Sequence, residues 1–298
     1  MARRVKPWQI RFSTRGQRSL LQLMADQDVE LDRILAKAAR ESQLALDRAI
    51  ANATFSAQIR AAQYEAQRQS LLDIATQMWG DDIPAAIMNN LGTSTQMAAN
   101  SGRGLVKILT PALKPGQAAM LASSMETSAA RTFDDVASRY LNSVDLSPSV
   151  YKAQAFTMGK IDDVVNSGIA LGKSANEIAQ DALGFINPNT PGGASYAAHR
   201  LGRTELNNAY HTTSVRSYQE SPYVDGVHWT LSGSHPSPDS CNNYAEQNDY
   251  DLGRGVFPPD SVPDKPHPQC LCFITPITPD PAEFVRRMKA GEYDCGRV

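Results

Sequence analysis

The apolar positions of the first 80 residues recur at helical spacing. From Ser13 to Trp79 the chain contains no proline and a single glycine, and apolar side chains return every three or four residues. They include Leu20, Met24, Leu31, Leu35, Ala38, Leu46, Ile50 and Ala53. This spacing predicts an amphipathic helix. Because one helix of that length is unusual in a compact domain, we expect a break or bend near residues 40–43, where the apolar stripe fades.

Prolines and a capping box mark where further helices begin. Alanine-rich segments follow Pro84, Pro115 and Pro148. Proline suits the first turn of a helix because the N–H that it lacks would have no helical partner there. The sequence S-A-N-E beginning at Ser174 is a capping box that opens another helix. A further long helix is predicted for residues 195–218.

The pattern changes after residue 220. Residues 225–281 are rich in Pro, Gly, Asp and Ser, which favours loops and short strands over long helices. The predicted elements are strands at 227–231 and 270–277, a short helix at 239–247 and a final helix at 281–289. The predicted fold class is therefore mainly α, with a long-helix N-terminal body and a small irregular α+β Cys/His module at the C-terminal end.

This pattern also predicts a division into consecutive domains. A basic N-terminal arm (1–18) precedes a helical body (19–167). The third region (168–280) combines helices at 174–220 with the Cys/His module at 225–280. A C-terminal helix and tail (281–298) complete the chain.

The composition limits the classes of function. With 29 Lys and Arg against 31 Asp and Glu, the 298-residue chain has a formal net charge of -2. That balance excludes a general nucleic-acid coat and a membrane-surface protein. The chain has no apolar run long enough to span a membrane, and its first residues lack the layout of a signal peptide. We therefore expect a protein kept in a cytoplasm, without a membrane partner, whose thiols stay reduced.

Charge is distributed unevenly along the chain. Residues 1–18 contain six basic side chains, together with Trp8 and Phe12, and no acidic one. Such an arm is either a solvated tail or an anchor on a partner or on nucleic acid. Residues 225–280 contain eight acidic side chains against two basic ones, a net charge of -6. Because this charge repels phosphate, it argues against a nucleic-acid-reading zinc finger and against a zinc nuclease.

Cysteine and histidine side chains cluster in the acidic module. All four Cys and all five His lie beyond residue 198. In an extended segment residues i and i+2 face the same side, so Cys270 and Cys272 can point at one metal ion. With Cys241 and His235 they supply the Cys3His set of a tetrahedral zinc site. His267 is either an alternative fourth ligand or a residue that orients a thiolate from outside the coordination sphere.

The cluster has three interpretations. It is a structural zinc site, a group of buried free thiols, or a catalytic pair with His235 or His267 beside Cys241. Asp239 is a weaker metal ligand, since its position before a short helix also suits an N-cap. Zinc is favoured because a proline-rich module of about 55 residues has a marginal core, and structural zinc contributes on the order of 10 kcal/mol. Cys295 lies outside the pattern.

Three residues upstream of the thiols carry further expectations. Arg203 and Glu205 lie in the middle of a predicted helix, and we expect buried or half-buried hydrogen bonds from them to join this helix to the module. The functional alternative is a catalytic acid at Glu205 and an anion clamp at Arg203. Trp229 alternates with Val227 and Leu231, which predicts one packed face of a strand.

The order of these motifs resembles the Mu F-like minor head proteins of tailed phages, also called head morphogenesis proteins. The shared features are R-T-E on a helix, an aromatic strand residue, D-x-C, a glycine-rich stretch ending in an aromatic residue, and H-P-x-C-x-C. In this chain they are Arg203–Glu205, Trp229, Asp239–Cys241, Gly253–Phe257 and His267–Cys272, within residues 168–279. Many members have C-x-x-C where this chain has Cys241 and Tyr244, so His235 would supply the missing ligand.

The resemblance implies a structural role without enzymatic activity. Members are low-copy head components, made in the host cytoplasm, that associate with the portal protein and with scaffold or major capsid protein during procapsid assembly. Some influence DNA packaging or ejection. We therefore expect a virion protein of the head interior near the portal, with packaged DNA as a further partner of the basic arm. The alternative is a zinc- or Cys-dependent hydrolase, a protease or nuclease, that acts in head maturation.

Overall fold

The structure, a computed structural model, describes most of the chain. The described residues are 4–51, 57–109, 146–171, 173, 175–186, 193–233, 235 and 238–293, with isolated positions between 116 and 138. Within them the chain is mainly helical and carries a small three-stranded sheet near its C-terminal end, as the sequence predicts. None of the described helices has the length and apolar character needed to cross a bilayer.

The chain forms two compact units, each assembled from separate stretches. The helical unit consists of Ala25–Asn89 and Arg139–Arg203. The Cys/His unit consists of Met1–Met24, Asn90–Ser138 and Thr204–Val298. The consecutive domains predicted from the sequence do not coincide with these units, because three long helices each contribute residues to both.

Long helices supply most of the regular structure. They are α1 (Pro7–Ala51), α2 (Ala57–Gln77), α3 (Ile83–Leu109), α4 (Leu146–Ala170), α5 (Ala175–Ile186) and α6 (Ala194–Gln219). The helices predicted after Pro84, after Pro148 and over residues 195–218 are thereby confirmed. The predicted helix after Pro115 and the capping residue Ser174 lie outside the described residues.

The first helix is longer than predicted. α1 continues through residues 40–43 to Ala51, so the break expected there is wrong. The buried stripe continues at this point because Ser42, fully buried, follows Ala38 by four residues. A small polar side chain therefore holds a core position that a hydrophobicity pattern does not register. α1 and α2 are separated by residues 52–56, which are not described.

Apolar side chains between helices form the core of the helical unit. α2 packs against α4, and α4 against α5. Trp79 is completely buried, and its indole Nε1 donates to Thr157 Oγ1 at 3.0 Å, so its burial leaves no donor unpaired. Gly168 of α4 faces Ile178 of α5, where an added Cβ would clash with Ile178 Cγ1. Glycine therefore permits the close approach of these two helices.

A π-helical turn, Met78–Asp82, joins α2 to α3. Ile83 N donates to Met78 O, five residues earlier, instead of to the carbonyl four residues earlier. Pro84 follows and has no N–H with which to continue the α-helical pairing, which accounts for the shift.

A three-stranded antiparallel sheet lies in the Cys/His unit. Its strands are β1 (Gly226–Thr230), β2 (Val256–Phe257) and β3 (Phe273–Ile277), in the order β2-β1-β3. The unit also contains α7 (Ser240–Glu246), a 3-10 turn (Pro259–Ser261) and α8 (Pro281–Lys289). Val227 and Trp229 are buried while His228 and Thr230 are partly exposed, which confirms the packed face predicted at Trp229.

The core of the Cys/His unit combines aromatic rings with thiols. Tyr223 and Phe284 meet edge to face, with ring centroids 5.5 Å apart. Trp229 and Tyr244 pack in the same way, 5.1 Å apart. The side chains of Cys241, Cys270 and Cys272 belong to this buried cluster, as do Leu105, Val106 and Leu109 of α3.

The start of α1 packs against the same core. Trp8 and Phe12 are partly buried against it, and Gln9 Nε2 donates to Thr278 O at 3.2 Å and to Thr278 Oγ1 at 3.1 Å. From Pro7 onward, the segment predicted as a basic arm (1–18) is helical and packs against this core. The reason is that one face of this segment is aromatic and amide-bearing and is buried, while its basic side chains lie on the other.

Candidate metal centre

Separate segments of the Cys/His unit bring the predicted donors together. His235 lies on the loop after β1, Cys241 lies in the first turn of α7, and His267, Cys270 and Cys272 precede β3. All three thiols are at most 1% exposed. Two groups of donors suited to a metal ion together contain every one of these five residues.

Asp239 fixes the start of α7. Its Oδ1 accepts a hydrogen bond from Cys241 N at 2.7 Å, and Asn242 Oδ1 accepts one from Asp239 N at 3.1 Å. This reciprocal capping box satisfies two N–H groups and sets the direction of the first turn, on which Cys241 lies. The N-cap role predicted for Asp239 is confirmed.

Helix α6 holds the loop that precedes β3. Thr204 Oγ1 accepts from Gln269 N at 3.2 Å, and Asn207 Nδ2 donates to Cys270 O. Gln269 has a φ of 58°, a backbone conformation that residues other than glycine rarely adopt. The hydrogen bonds on both sides of this turn therefore position the Cys270 thiol.

The other two residues of the R-T-E sequence are placed differently. Arg203 belongs to the helical unit, where its Nε donates to Asp28 Oδ2 at 2.8 Å and its side chain is 45% exposed. The expectation that Arg203 joins the helix to the module is therefore wrong, because its guanidinium pairs with the carboxylate of Asp28, 175 residues away in sequence. Glu205 is buried, at 6% exposure.

Three distances define the cluster. Cys241 Sγ lies 3.4 Å from Cys270 Sγ and 3.6 Å from His267 Nε2. Cys272 Sγ lies 3.7 Å from His235 Nδ1. Tetrahedral zinc separates two sulfur ligands by about 3.8 Å, and a sulfur from a nitrogen ligand by about 3.5 Å. The observed distances are close to these values.

The donors form two overlapping sets of three. One set is His235, Cys241 and Cys272, and the other is Cys241, His267 and Cys270. Within each set all ligand atoms lie within 4.8 Å of one another. Because both sets contain Cys241, this thiol is the common donor of any metal ion bound here.

His235 presents a lone pair to the thiols. Its Nε2 donates to Asn242 Oδ1 at 2.7 Å, so the proton resides on Nε2 and the lone pair on Nδ1. Nδ1 is the atom that faces Cys272. The side chain is 12% exposed. An imidazole with one nitrogen hydrogen-bonded and the other aimed at thiolates is the usual arrangement of a metal ligand.

His267 is more exposed and is shared with a carboxylate. Its Nδ1 donates to Pro268 O at 3.0 Å, and its Nε2 lies 3.0 Å from Asp239 Oδ2 as well as near Cys241. The side chain is 37% exposed. The Nε2 lone pair faces both a thiol and a carboxylate. His267 is therefore suited to both roles that the sequence leaves open.

The thiols differ in acidity. Hydrogen bonding from Cys272 lowers the pKa of Cys270 to about 5. Burial, together with a hydrogen bond to Cys270, raises the pKa of Cys241 to about 12. The hydrogen bond to Cys270 and burial raise the pKa of Cys272. A bound cation would favour the thiolate form of all three groups.

Lys265 supplies positive charge beside the thiols. Its Nζ donates to Cys272 O and lies 5.7 Å from the centre of the Trp229 ring. Burial lowers the pKa of Lys265, whereas Cys270, Cys272 and Cys241 act in the opposite direction. A divalent metal ion held by three thiolates and one imidazole would carry one net negative charge, which this ammonium is placed to offset.

Several supporting residues were not predicted from the sequence. The sequence contains a feature that could have identified Lys265, since it is one of two basic residues in the acidic module. Asn242 could also have been identified, because it follows Asp239 by the three residues of a capping box. No feature of the sequence indicates Asn207 or His211, since their roles depend on tertiary contacts. His211 Nε2 donates to Pro263 O at 3.0 Å, and burial, aided by the charge of Lys265, lowers the pKa of His211 to about 3.

The arrangement can hold one metal ion in a buried site, and the donor set of thiols and imidazoles suits zinc. Compared with known protein families, curated proteins and solved structures, the chain matches none.

Proposed function

We propose that the Cys/His unit is a structural zinc module and that the chain is a minor capsid protein of a tailed-phage head. The supporting observation is the group of three buried thiols and two histidines, set within motifs whose order resembles the Mu F-like minor head proteins. In this proposal Cys241, Cys270, Cys272 and His235 hold the zinc ion. Four protein ligands leave no open position for a substrate, so the metal contributes folding energy.

His235 is the preferred fourth ligand for two reasons. Its side chain is less exposed than that of His267, 12% against 37%. The nitrogen of His235 that faces the thiols, Nδ1, is not the one that donates to Asn242 and lies near Asp239, whereas His267 presents the same nitrogen, Nε2, to Cys241 and to the Asp239 carboxylate. His267 then acts beside the site as the partner of Asp239. A His235→Ala variant should lose most of its zinc, and a His267→Ala variant should keep it.

As a head protein, the chain would assemble in the host cytoplasm and associate with the portal protein and with scaffold or major capsid protein. The test is mass spectrometry of procapsids and virions, combined with co-purification of the tagged portal protein. We expect the chain in particles and with the portal. Absence from every particle form would contradict the head role.

Two cysteine variants separate the head role from the zinc role. Cys270→Ser should abolish incorporation into particles, because the folded module is lost. Cys295→Ser is the matched control, since Cys295 lies outside the motif and outside the described residues. If Cys270→Ser enters particles at the normal level, the zinc role is wrong while the head role stands.

A second candidate function is a Cys-dependent hydrolase acting in head maturation. The observation that favours it is the 3.6 Å contact between Cys241 Sγ and His267 Nε2, the elements of a nucleophile and its base. Against it, burial raises the pKa of Cys241 to about 12, and an activated thiol requires a lowered pKa. A hydrolase predicts that Cys241→Ser folds normally and is inactive. The zinc module predicts that the same variant loses both zinc and structure.

A further inference from the structure

Helix α1 carries two opposite patterns of charge. Residues 1–24 contain six basic side chains and no acidic one, whereas residues 25–51 contain six acidic and four basic ones. The change occurs where the chain passes from the Cys/His unit to the helical unit. The net positive charge of α1 therefore lies in the Cys/His unit only, where no carboxylate on the same part of the helix reduces it.

Three arginines share one face of this segment. Arg11, Arg15 and Arg18 are spaced i, i+4 and i+7, which places them within about 60° around the helix axis and over about 10.5 Å along it. All three are exposed. Lys6, by contrast, pairs with Asp280 at 2.5 Å. Among the residues that the structure describes, none of the three arginines makes an ion pair.

The remainder of this part of α1 explains why the arginine face is exposed. On its other side, Gln9 and Gln17 bond to Thr278 and to Leu271 O, and these contacts fix the helix on the Cys/His unit. The arginines therefore project from a rigid, docked helix instead of a flexible tail. Rigidity reduces the entropy that a ligand must remove from these long side chains on binding.

We infer that this arginine face, Arg11, Arg15 and Arg18, binds the phosphate backbone of double-stranded nucleic acid without sequence preference. A guanidinium group can donate two parallel hydrogen bonds to phosphate oxygens, a bidentate geometry that lysine lacks. A duplex carries one charge per 1.7 Å of its axis, so the length of the face spans about six phosphates. Residues 225–280 carry a net charge of -6, which disfavours contact of a duplex with that part of the unit.

The surroundings of the face favour a nucleic acid over an acidic protein. Protein interfaces are usually built around aromatic anchors in their centre. Here Trp8 and Phe12 are turned into the core, and the neighbouring exposed positions include Ser19 and Gln22. Within residues 4–24 the large apolar side chain that is exposed is Leu21, at 40%.

The inference does not depend on the head role, and its test uses purified full-length protein loaded with zinc. The probe is a fluorescent duplex of about 30 base pairs with random sequence, titrated at about 50 mM and about 200 mM salt. The variant carries Arg11→Gln, Arg15→Gln and Arg18→Gln. The control carries Arg33→Gln, Arg40→Gln and Arg48→Gln, which removes three exposed arginines from the same helix and changes the net charge equally.

Three phosphate contacts contribute a slope of about -2.7 to the logarithmic salt dependence, or about 40-fold weaker binding over this fourfold change in salt. We expect the arginine-face variant to lose that contribution and the control to stay within about 3-fold of the wild type. Failure of the wild type to bind at low salt, or equal losses in both variants, would overturn the inference. Binding of poly-glutamate as tightly as the duplex would show an acidic-protein site instead.

Discussion

The helical unit and the Cys/His unit fill their cores with different chemistry. In the helical unit, aliphatic side chains and the fully buried Trp79 pack between helices. In the Cys/His unit, three thiols lie among aromatic rings beside strands of five, two and five residues. Strands this short form a marginal sheet by themselves. The comparison teaches that the core of the first unit is built mainly by apolar burial between long helices, whereas the core of the second also contains a donor cluster suited to a metal ion.

Removal of the proposed zinc ion should have the largest effect, and should affect the two units differently. We expect a strong chelator, under reducing conditions, to cost the Cys/His unit on the order of 10 kcal/mol and to unfold it. α2 and α4 of the helical unit should keep their structure. Hydrogen exchange measured by mass spectrometry reports both regions in one experiment. Unchanged protection of β1 and β3 after the metal has been removed would contradict the role of zinc.

A core substitution in the helical unit should destabilise that unit and leave the metal site of the Cys/His unit unchanged. Leu35 is fully buried, so Leu35→Ala should lower the free energy of unfolding by about 2–5 kcal/mol. Leu44→Ala on the same helix is the control, since Leu44 is 53% exposed and should have little effect. Urea unfolding gives the stability, and metal analysis should find the zinc content unchanged in both variants. A loss of zinc in Leu35→Ala alone would show that the two cores are not independent.

Acid should weaken the Cys/His unit through His211. Its pKa is about 3 in the folded protein against an ordinary value of 6.5, chiefly because it is buried. Below pH 6.5 the unfolded chain takes up a proton at this position and the folded chain does not, so stability falls as the pH is lowered toward 3. At pH 5 the loss amounts to about 2 kcal/mol.

His211→Gln tests this directly, because glutamine keeps a donor for Pro263 O and does not titrate in this range. The free energy of unfolding of the variant should depend less steeply on pH between 6.5 and 5, with zinc content measured at each pH. Parallel curves for the variant and the wild type would show that His211 does not carry the effect.

The smallest expected effect concerns an unpaired amide in the helical unit. Gln27 is completely buried, and neither its Oε1 nor its Nε2 has a hydrogen-bond partner in the part of the chain that the structure describes. Gln27→Met preserves the length of the side chain and removes the polar group, so it should stabilise the unit by about 1–2 kcal/mol. Gln43→Met, at a half-buried position, should change the stability by less than about 0.5 kcal/mol. A loss of stability in Gln27→Met would indicate that a water molecule pairs with the amide.

The sequence predicted the long helices well because their buried positions repeat every three or four residues along one element. It did not predict the π-helical turn before Pro84 or the two-residue strand β2, which depend on local pairing without any periodic signal. It also assigned consecutive domains. A continuous helix such as α1 can pack different segments against different cores, and that choice is made by tertiary contacts.

The donor set of the candidate site was predictable because it is marked by local features of the sequence. Spacing and residue type alone identify Cys270 and Cys272, and the capping pattern identifies Asp239. The partner of Arg203 was not predictable, since Asp28 is distant in sequence. Nor were the contacts of Asn207 with the Cys270 carbonyl, because an asparagine within a helix gives no sign of what it faces.

The central claim is that the Cys/His unit is closed by one structural zinc ion. X-ray absorption spectroscopy of the purified, reduced protein, with metal analysis on the same sample, tests it most directly. The account predicts one zinc per chain, bound by three sulfur atoms and one nitrogen atom. A protein that folds without zinc, or a zinc ion with an open position occupied by water, would contradict it.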